Sequence, residues 1–396
     1  MKKKLLFVIP SLDAGGGEKS LVNLLNTLDF DCYTVDLLVF QRKGLFLSSI
    51  PEAVTLLTPQ GHYSVFTGGL VSTCLNLLKS GRISLLFHRL IYSLKTKFIR
   101  NKGAAEQSAW LNLREAIPNL ENPYDVAIGF LEKSSIYYVV DNVTAKQKIG
   151  WIHTNYSQSG MKPSFDLPYF TQLDWVITVS PECVTDLKTT FPTLTSRFAV
   201  IHNIVSAKLI RQLATKEPEK VIDWTPFTLI TVARLSPEKG CDLAVETCKL
   251  LVEQGLDVQW LLIGDGSERL SLEAQVARYG LQKRFLFLGL QANPYSFVQR
   301  ASVYVQPSRY EGKSIAIDEA KILCKPIVVT NFPTAKDQIT HLKTGLISPM
   351  HPEDLANEIS KIYHSTSLQN DLMLHLSHEH IDSEQEIEKL YALVNG

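Results

Sequence analysis

Two glutamates, Glu311 and Glu319, lie eight positions apart, and small and polar residues follow the first of them. The apolar run 303–307 just before them predicts a buried strand that ends at Pro307. A strand that turns through Glu-Gly into a helix directs free backbone N–H groups and the positive end of a dipole towards a ligand, which suits phosphate groups. A carboxylate on each side of that turn can bind hydroxyls on whatever carries the phosphates, such as a ribose and a sugar.

Glu319 lies within the apolar stripe of the predicted helix, between Ile315 and Ile322. A charge in such a stripe costs several kcal/mol unless a hydrogen bond satisfies it. We therefore expect a ligand or a polar partner at Glu319, with a surface ion pair as the alternative. The neighbouring Asp318 projects in another direction and is expected to be solvated.

Arg234 and Lys239 flank a turn at the end of another predicted strand, 227–233. Together they can neutralise a diphosphate, arginine as a planar fork and lysine as a point charge, although a solvated charged loop is the alternative. Gly266 and Leu290 each follow a later predicted strand. Backbone groups at these two turns can lie against a nucleotide.

The N-terminal half has its own candidate residues. The glycines 15–17 follow the first predicted strand, and adjacent glycines let the backbone approach a ligand and adopt positive φ at low steric cost. The spacing is not Gly-x-Gly-x-x-Gly, so it does not favour a nicotinamide dinucleotide, and a tight turn is the alternative. His153 and Asn203 each follow a strand-like run, and a purely structural role is the alternative for both.

Apolar runs that alternate with helical patterns predict the architecture. The predicted strands are the eleven runs 5–10, 33–40, 124–130, 148–153, 175–180, 198–202, 227–233, 258–264, 284–288, 303–307 and 326–330. A chain of 396 residues exceeds the size of one core, and short Val-, Ile- and Leu-rich runs between helices predict parallel sheets covered on both faces. The mixed-charge stretch 205–225 separates two such series. We predict an α/β protein with an N-terminal domain 1–204, a C-terminal domain 205–382, and a C-terminal helix, 383–396, that can pack back on the first domain.

Composition excludes several classes of protein. The 40 basic and 40 acidic residues balance, so no overall field favours nucleic acid. The six cysteines are scattered without a Cys-x2-Cys pair, which disfavours structural zinc and favours reduced thiols in the cytoplasm. The apolar run 5–10 is too short for a signal peptide, and no run reaches the roughly 18 apolar residues of a membrane span.

One stretch is strongly basic. No Asp or Glu occurs from residue 53 to residue 105, and apolar residues recur at helical spacing from Ile83 to Phe98. A basic amphipathic helix suits an anionic membrane surface; an ordinary packed helix with a basic solvent face is the alternative. The basic residues of this stretch are Lys79, Arg82, Arg89, Lys95, Lys97, Arg100 and Lys102.

Taken in order, these motifs resemble the retaining, nucleotide-sugar-dependent glycosyltransferases of family four. That family has the GT-B fold, two doubly wound Rossmann-like domains with a central cleft. The Glu311-x7-Glu319 motif contributes most to the resemblance. The turn from Arg234 to Lys239, the glycines 264–266 and 15–17, and the segment 201–203 support it at the expected order and separation.

The resemblance implies a metal-independent, hexosyltransferase-type reaction without a cofactor, in which the nucleotide sugar, expected to be UDP-linked, is a substrate. It assigns Arg234 and Lys239 to the donor diphosphate and Glu319 to the ribose. It assigns Glu311 to the transferred sugar and His153 to a position near the 6-hydroxyl of that sugar. Further donor contacts are implied at Gly16, Gly17, Gly266, Leu290, Gly312, Lys313, Ser314 and Ile315.

Two positions depart from the family pattern. Lys313 stands where an apolar or aromatic residue is usual, which leaves open the shape of the sugar pocket or an acidic sugar. Asn203-Ile204 replaces the common Asn-Gly.

The expected acceptor is a lipid-linked or other saccharide in bacterial surface polysaccharide or capsule synthesis, with the enzyme peripheral on the inner face of the cell membrane. A nucleotide-sugar 2-epimerase of the same fold, or a non-catalytic sugar-nucleotide-binding subunit, is the alternative function.

Overall fold

The structure, a computed structural model, describes residues 2–13, 15–218, 220–379, 381 and 383–395. The chain divides into two compact units. The first comprises Met1–Asn203 together with Gln385–Gly396, and the second comprises Ile204–Glu384. Each unit is built on one sheet of parallel strands with helices between them.

The first unit contains a seven-stranded sheet in the described part of the chain, with the order β3-β2-β1-β4-β5-β6-β7. Its strands are β1 Lys3–Ile9, β2 Tyr33–Val39, β3 Val54–Leu57, β4 Tyr124–Phe130, β5 Ala145–Ile152, β6 Trp175–Thr178 and β7 Phe198–Val200. Its described α-helices are α1 Gly16–Thr27, α2 Tyr63–Phe66, α3 Leu70–Lys79, α4 Ile83–Phe98, α5 Lys102–Leu113, α6 Ser134–Asn142, α7 Pro163–Phe170 and α8 Pro181–Thr190.

The second unit contains a six-stranded parallel sheet among its described residues, with the order β10-β9-β8-β11-β12-β13. Its strands are β8 Phe227–Val232, β9 Val258–Ile263, β10 Phe285–Gly289, β11 Val303–Gln306, β12 Ile327–Thr330 and β13 Leu346–Ser348. Its described α-helices are α9 Ala207–Ala214, α10 Cys241–Glu253, α11 Arg269–Arg278, α12 Tyr295–Arg300, α13 Ile315–Ile322, α14 Ala335–Gln338, α15 Pro352–His364 and α16 Thr366–Ser377.

Burial explains why the apolar runs form strands. Central strands such as β1 and β9 are buried along most of their length, because helices cover both faces of a parallel sheet. The two strands that sequence analysis did not predict, β3 and β13, are short and lie at sheet edges. An edge strand has one neighbour, so its sequence needs less continuous hydrophobicity.

The stretch 205–225, predicted to be a boundary, is not an open linker. It lies within the second unit and contains α9, whose Ser206 hydroxyl caps the helix by accepting a hydrogen bond from the Leu209 amide. The buried face of α9, with Ile210 and Ala214, packs into the core of this unit.

The last helix, α17 (Glu386–Asn395), packs against the first unit. The ring of Tyr391 stacks on that of Tyr33 with 5.2 Å between centroids, and its hydroxyl accepts a hydrogen bond from the Asp29 amide at 2.8 Å. The Lys3 ammonium donates to the carbonyl of Val394 at 2.8 Å. The chain therefore returns to its N-terminal unit after completing the second one. No helix among the described residues is long and apolar enough to cross a membrane.

Candidate active site

Sheet order places the charged turns of the second unit at one edge. Strand β8 pairs in parallel with β11 on one side and with β9 on the other. The carboxyl ends of parallel strands meet at the same edge, so the loops that follow these three strands lie there together. This edge is where open α/β sheets bind ligands.

Two of these loops are locked together. Gly240 has φ +60°, and a Cβ at this position would lie 2.0 Å from the carbonyl oxygen of Pro307. Arg309 binds the Asp242 carboxylate through two hydrogen bonds of 2.7 and 2.6 Å, and its backbone amide donates to the Glu238 carbonyl at 2.8 Å. The loop after β8 and the loop after β11 therefore hold each other in place.

The contacts between these two loops place Lys239 next to Glu311. The ammonium nitrogen lies 2.7 Å from Oε2 of the carboxylate. The other oxygen, Oε1, accepts hydrogen bonds from the Ser308 hydroxyl at 2.6 Å and from Gln306 Nε2 at 3.0 Å. Glu311 is only 6% exposed, and these three donors replace the hydration that the carboxylate loses on burial.

Glu319 is also buried, at 4% exposure, and it accepts a hydrogen bond from the Tyr295 hydroxyl at 2.9 Å. Burial, reinforced by the nearby Glu319 charge, raises the pKa of Tyr295 well above its usual value, so the phenol remains a donor. The polar partner expected for a charge in an apolar stripe is thus present.

The prediction that Asp318 is solvated is wrong. Asp318 is buried, accepts a hydrogen bond from Gln338 Nε2 at 2.9 Å, and has the Lys313 ammonium 3.8 Å from Oδ2. Gln338 lies on α14, which follows α13 and β12 in the chain. The helical spacing within α13 cannot reveal a partner on another element.

The side chain of Gln338 also hydrogen-bonds with the backbone at the start of α13. Its Oε1 accepts from the Ser314 amide at 2.9 Å, and its Nε2 donates to the Ser314 carbonyl at 2.9 Å. One of the free amides expected at this helix start is therefore already paired. Gly312 and Lys313 lie on the same turn, half-buried, and Ile315 begins the helix with a buried side chain.

Arg234 lies on the loop after β8, with an exposed side chain that makes no hydrogen bond or ion pair with any residue the structure describes. Gly264 and Gly266 lie beside it because the two loops touch. A Cβ at Gly264 would be 1.8 Å from the Ala233 carbonyl oxygen, and one at Gly266 would be 2.3 Å from that of Leu235. Leu290 follows β10 at the same edge and is exposed.

The first unit has a second cluster at the carboxyl ends of its strands. The glycines 15–17 do not form the expected positive-φ turn, because α1 already begins at Gly16 and none of the three has positive φ. Close approach explains Gly17 instead, since a Cβ there would lie 2.4 Å from Leu131 Cδ2 and 3.7 Å from His153 Cγ. Nothing lies within 4 Å of a Cβ at Gly16.

His153 is held by hydrogen bonds at its backbone and at its side chain. Its backbone amide donates to Glu132 Oε1 at 2.7 Å, and its side chain hydrogen-bonds with Asn203, whose Oδ1 also accepts from the Ser20 hydroxyl at 2.8 Å. Burial lowers the pKa of His153 to about 3, and the bond with Asn203 offsets only part of that effect. The imidazole is therefore neutral at physiological pH, and its buried Nε2 has no hydrogen-bond partner among the described residues.

The loop that supports His153 is strained. Leu131 and Lys133, on either side of Glu132, have positive φ values of 94° and 67°, which non-glycine residues rarely adopt. The Lys133 ammonium pairs with Glu106, and the Glu132 carboxylate ties the loop to β5. Strain of this kind persists only where the surroundings fix it, and it concentrates at functional sites.

The structure thus brings together Lys239 and Glu311 in the second unit, and Gly17 and His153 in the first. Sequence analysis missed the supporting residues Gln306, Ser308, Tyr295, Arg309 and Gln338. Ser308 was within reach of prediction, because it lies three residues before Glu311 on the same turn. The donor roles assigned by resemblance, including those of Gly16, Gly312, Lys313 and Leu290, stay predictions.

Among the described residues, no group of three or more His, Cys, Asp or Glu side chains has the arrangement needed to hold a metal ion. The Asp29-Phe30-Asp31 segment forms a turn before β2, where the Asp31 amide donates to Asp29 Oδ1.

Known proteins resemble the chain in both sequence and fold. Residues 214–373 match the family model of group 1 glycosyl transferases. The 2-deoxystreptamine N-acetyl-D-glucosaminyltransferase of Niallia circulans is 29% identical over 37% of this chain and 39% of its own length. The capsular polysaccharide biosynthesis glycosyltransferase CapM of Staphylococcus aureus is 26% identical over 36% of this chain and 38% of its own. The chain thus matches less than half the length of these curated relatives.

Two solved structures match over their whole length. Anabaena HepE, in complex with UDP and glucose, has a TM-score of 0.69 at 17% identity, with 100% of both chains covered. TarM of S. aureus, in complex with UDP and a saccharide, has a TM-score of 0.67 at 15% identity with the same coverage. The charged turns of the second unit lie inside residues 214–373, which are similar to group 1 glycosyl transferases. The chain has the GT-B fold of these solved glycosyltransferases.

Proposed function

We propose that the protein transfers a sugar, with retention of anomeric configuration, from a nucleoside-diphosphate sugar to a saccharide acceptor. The observation that supports this most is the pairing of Lys239 with the buried Glu311, on the edge where such sheets bind ligands. Arg234 lies on the same loop as Lys239, and its side chain has no partner among the described residues. A cation and a carboxylate that can bind hydroxyls, on two loops that hold each other in place, match the diphosphate and the sugar of a nucleotide sugar.

In the proposed mechanism, the bond between the anomeric carbon and the diphosphate oxygen breaks first. The leaving diphosphate takes the electron pair, and the sugar becomes oxocarbenium-like. Arg234 and Lys239 stabilise the negative charge on the diphosphate, an electrostatic contribution that usually dominates catalysis. The acceptor hydroxyl attacks from the same face, and its proton passes to a diphosphate oxygen. No metal ion is assigned to this step.

Glu311 has the features of a residue that orients hydroxyl groups. Ser308, Gln306 and Lys239 fix both of its oxygens, so the carboxylate cannot rotate when a ligand arrives. Oxygens of a fixed carboxylate accept strong, directional hydrogen bonds from sugar hydroxyls. Glu319, held by Tyr295, is proposed to do the same for the ribose.

UDP is the proposed nucleotide, and a lipid-linked saccharide of a surface polysaccharide or capsule is the proposed acceptor. Solved neighbours were obtained with UDP, and relatives are named for capsular polysaccharide biosynthesis, which supports both assignments by similarity. We propose that the protein acts in the cytoplasm at the inner face of the membrane. Six free cysteines suit a reducing compartment.

Incubation of the full-length protein with UDP-, GDP- and ADP-sugars, with and without a lipid-linked saccharide, tests the proposal. We expect a glycosylated acceptor and free nucleoside diphosphate only when both substrates are present. Conversion of the donor alone to an isomer would instead identify a 2-epimerase. Donor binding without any turnover would identify a non-catalytic binding subunit.

A further inference from the structure

Two neighbouring helices of the first unit expose an unusual number of apolar side chains. Nine of the nineteen exposed large apolar residues among the described residues lie between Leu70 and Phe98. We call this surface the α3–α4 face. Its members are Leu70, Val71, Leu75 and Leu78 of α3 and Ile83, Phe87, Leu90, Leu94 and Phe98 of α4.

The spacing within α4 aligns its members in one stripe. Positions 83, 87, 90, 94 and 98 recur every three or four residues, so the side chains lie along one side of the helix. Ile83 and Phe98 are each 71% exposed, and Phe87 is 61% exposed. Soluble surfaces seldom keep this many large apolar side chains together unless a partner covers them.

The opposite side of α4 faces the protein: Leu85 and Tyr92 pack against the core, and two cations of this helix make hydrogen bonds inside the unit. Arg89 is buried, donates to the Gly68 carbonyl at 2.9 Å and lies over the rings of Phe66 and Tyr92. Lys95 donates to the Ser108 carbonyl and to Asn112 Oδ1, both at 2.8 Å. Two of the seven cations of the basic stretch therefore make hydrogen bonds within the unit. The apolar stripe of α4 faces the solvent.

The other five cations are exposed around the α3–α4 face. Lys79 ends α3, Arg82 precedes α4, and Lys97 lies within 5.8 Å of the Phe98 ring. Arg100 and Lys102 follow the end of α4. Because no acidic residue occurs from 53 to 105, every charged side chain that α3, α4 and the residues around them contribute to this face is basic. The nearby Glu106 of α5 is paired with Lys133.

We infer that the α3–α4 face docks on an anionic lipid bilayer, with its apolar side chains in the acyl boundary and the five cations at the headgroups. The positive charge around the face favours an anionic bilayer as the partner, because each Lys or Arg near an anionic leaflet contributes about 1 kcal/mol to binding. Long basic side chains beside apolar ones can extend to the headgroups while their stems stay in an apolar layer. This inference does not depend on the proposed transfer reaction.

A second copy of the chain fits this face less well. A two-fold contact would place the same patch against itself and bring the two sets of five cations together. Like charges opposed across an interface are costly, whereas a bilayer that contains anionic lipid supplies the opposite charge.

Vesicle flotation of the full-length protein tests the inference. The probes are vesicles of phosphatidylcholine with phosphatidylglycerol and vesicles of phosphatidylcholine alone. One variant combines Phe87→Ser with Phe98→Ser, and its control combines Leu270→Ser with Leu374→Ser, which are also exposed but lie in the second unit. A second variant combines Arg82→Gln, Lys97→Gln and Arg100→Gln, and its control combines Lys188→Gln, Lys283→Gln and Lys343→Gln, all exposed.

We expect binding to the anionic vesicles that is much weaker on phosphatidylcholine alone. The charge variant should lower the partition coefficient roughly 100-fold, and the phenylalanine variant should lower it at least about 10-fold. Both controls should bind like the wild type. No flotation, equal binding by variants and controls, or a dimer in light scattering that the phenylalanine variant converts to a monomer would overturn the inference.

Discussion

The ammonium nitrogen of Lys239 lies 2.7 Å from Glu311 Oε2, although 72 residues separate them in the chain. Two parallel strands, β8 and β11, bring their loops to one edge, and the close approach of Gly240 to Pro307 fixes the distance between them. The pair is therefore a product of the sheet order, and not of local sequence.

The Lys239–Glu311 pair should be energetically coupled. Lys239→Met removes a charged hydrogen-bond donor from a buried carboxylate, and we expect a loss of about 1.5–3 kcal/mol in the free energy of unfolding. Adding Glu311→Gln should restore part of that loss, since the amide needs no counter-charge. Urea unfolding of both single variants and the double variant measures the coupling. Strict additivity would mean that the two groups do not interact.

Tyr295 should act on donor binding through Glu319. Tyr295→Phe removes one hydrogen bond from a buried carboxylate, and bonds to charged groups contribute about 1.5–3 kcal/mol. We expect the KM for the sugar donor to rise about 10-fold, with a smaller change in kcat. Tyr279→Phe, on another helix end, is the control and should leave both constants unchanged. If the Tyr295→Phe enzyme has the wild-type KM for the donor, Glu319 does not contribute to donor binding.

The contact between the two loops should be sensitive to a single methyl group. Gly240 and Gly255 both have positive φ, at 60° and 80°, but only Gly240 would place a Cβ against a backbone carbonyl. We expect Gly255→Ala to cost about 1 kcal/mol through backbone strain alone. Gly240→Ala should cost more and also lower turnover, because the Lys239 and Glu311 loops must separate. Equal effects of the two substitutions on stability and turnover would show that the loop contact is unimportant.

His153 should make the first unit less stable in mild acid. Its pKa is about 3 in the folded state and about 6.5 in an unfolded chain, so below pH 6.5 the unfolded state binds more protons. The linked loss of stability is about 1.4 kcal/mol per pH unit, or about 2 kcal/mol by pH 5. Above pH 6.5 this contribution is absent.

The measurement compares the wild type with His153→Gln. Thermal or urea unfolding at several pH values from 5 to 7.5 should give curves for the two proteins that diverge as the pH falls. Parallel curves would mean that the imidazole becomes charged in the folded protein as readily as in the unfolded chain.

Much of the fold could be predicted from the sequence, because a parallel sheet buried on both faces requires continuous apolar strands. Eleven of the thirteen described strands coincide with predicted apolar runs, whereas the edge strands β3 and β13 lack that signal. The location of α9 inside the predicted boundary was missed because its short apolar pattern lies among charged residues.

The site could be predicted only in part. The spacing of Glu311 and Glu319 is local and visible in the sequence, but Gln338, which pairs with both Asp318 and Ser314, comes from another element. The orientation of α4 shows the same limit. Periodicity reveals an apolar stripe, yet Arg89 and Lys95 face inwards because their partners lie in other segments of the fold.

The proposed reaction requires that the second unit bind a nucleoside diphosphate through Arg234 and its neighbours. Titration calorimetry of the full-length protein with UDP, GDP and ADP tests it most directly, with Arg234→Ala as the variant and Arg278→Ala, another exposed arginine of the same unit, as the control. We predict that one of the three nucleotides binds the wild type and the control equally, and binds Arg234→Ala at least about 10-fold more weakly. Equal binding by Arg234→Ala would show that Arg234 does not contact the nucleotide. No binding of any of the three nucleotides to the wild type would rule out the proposed donor site.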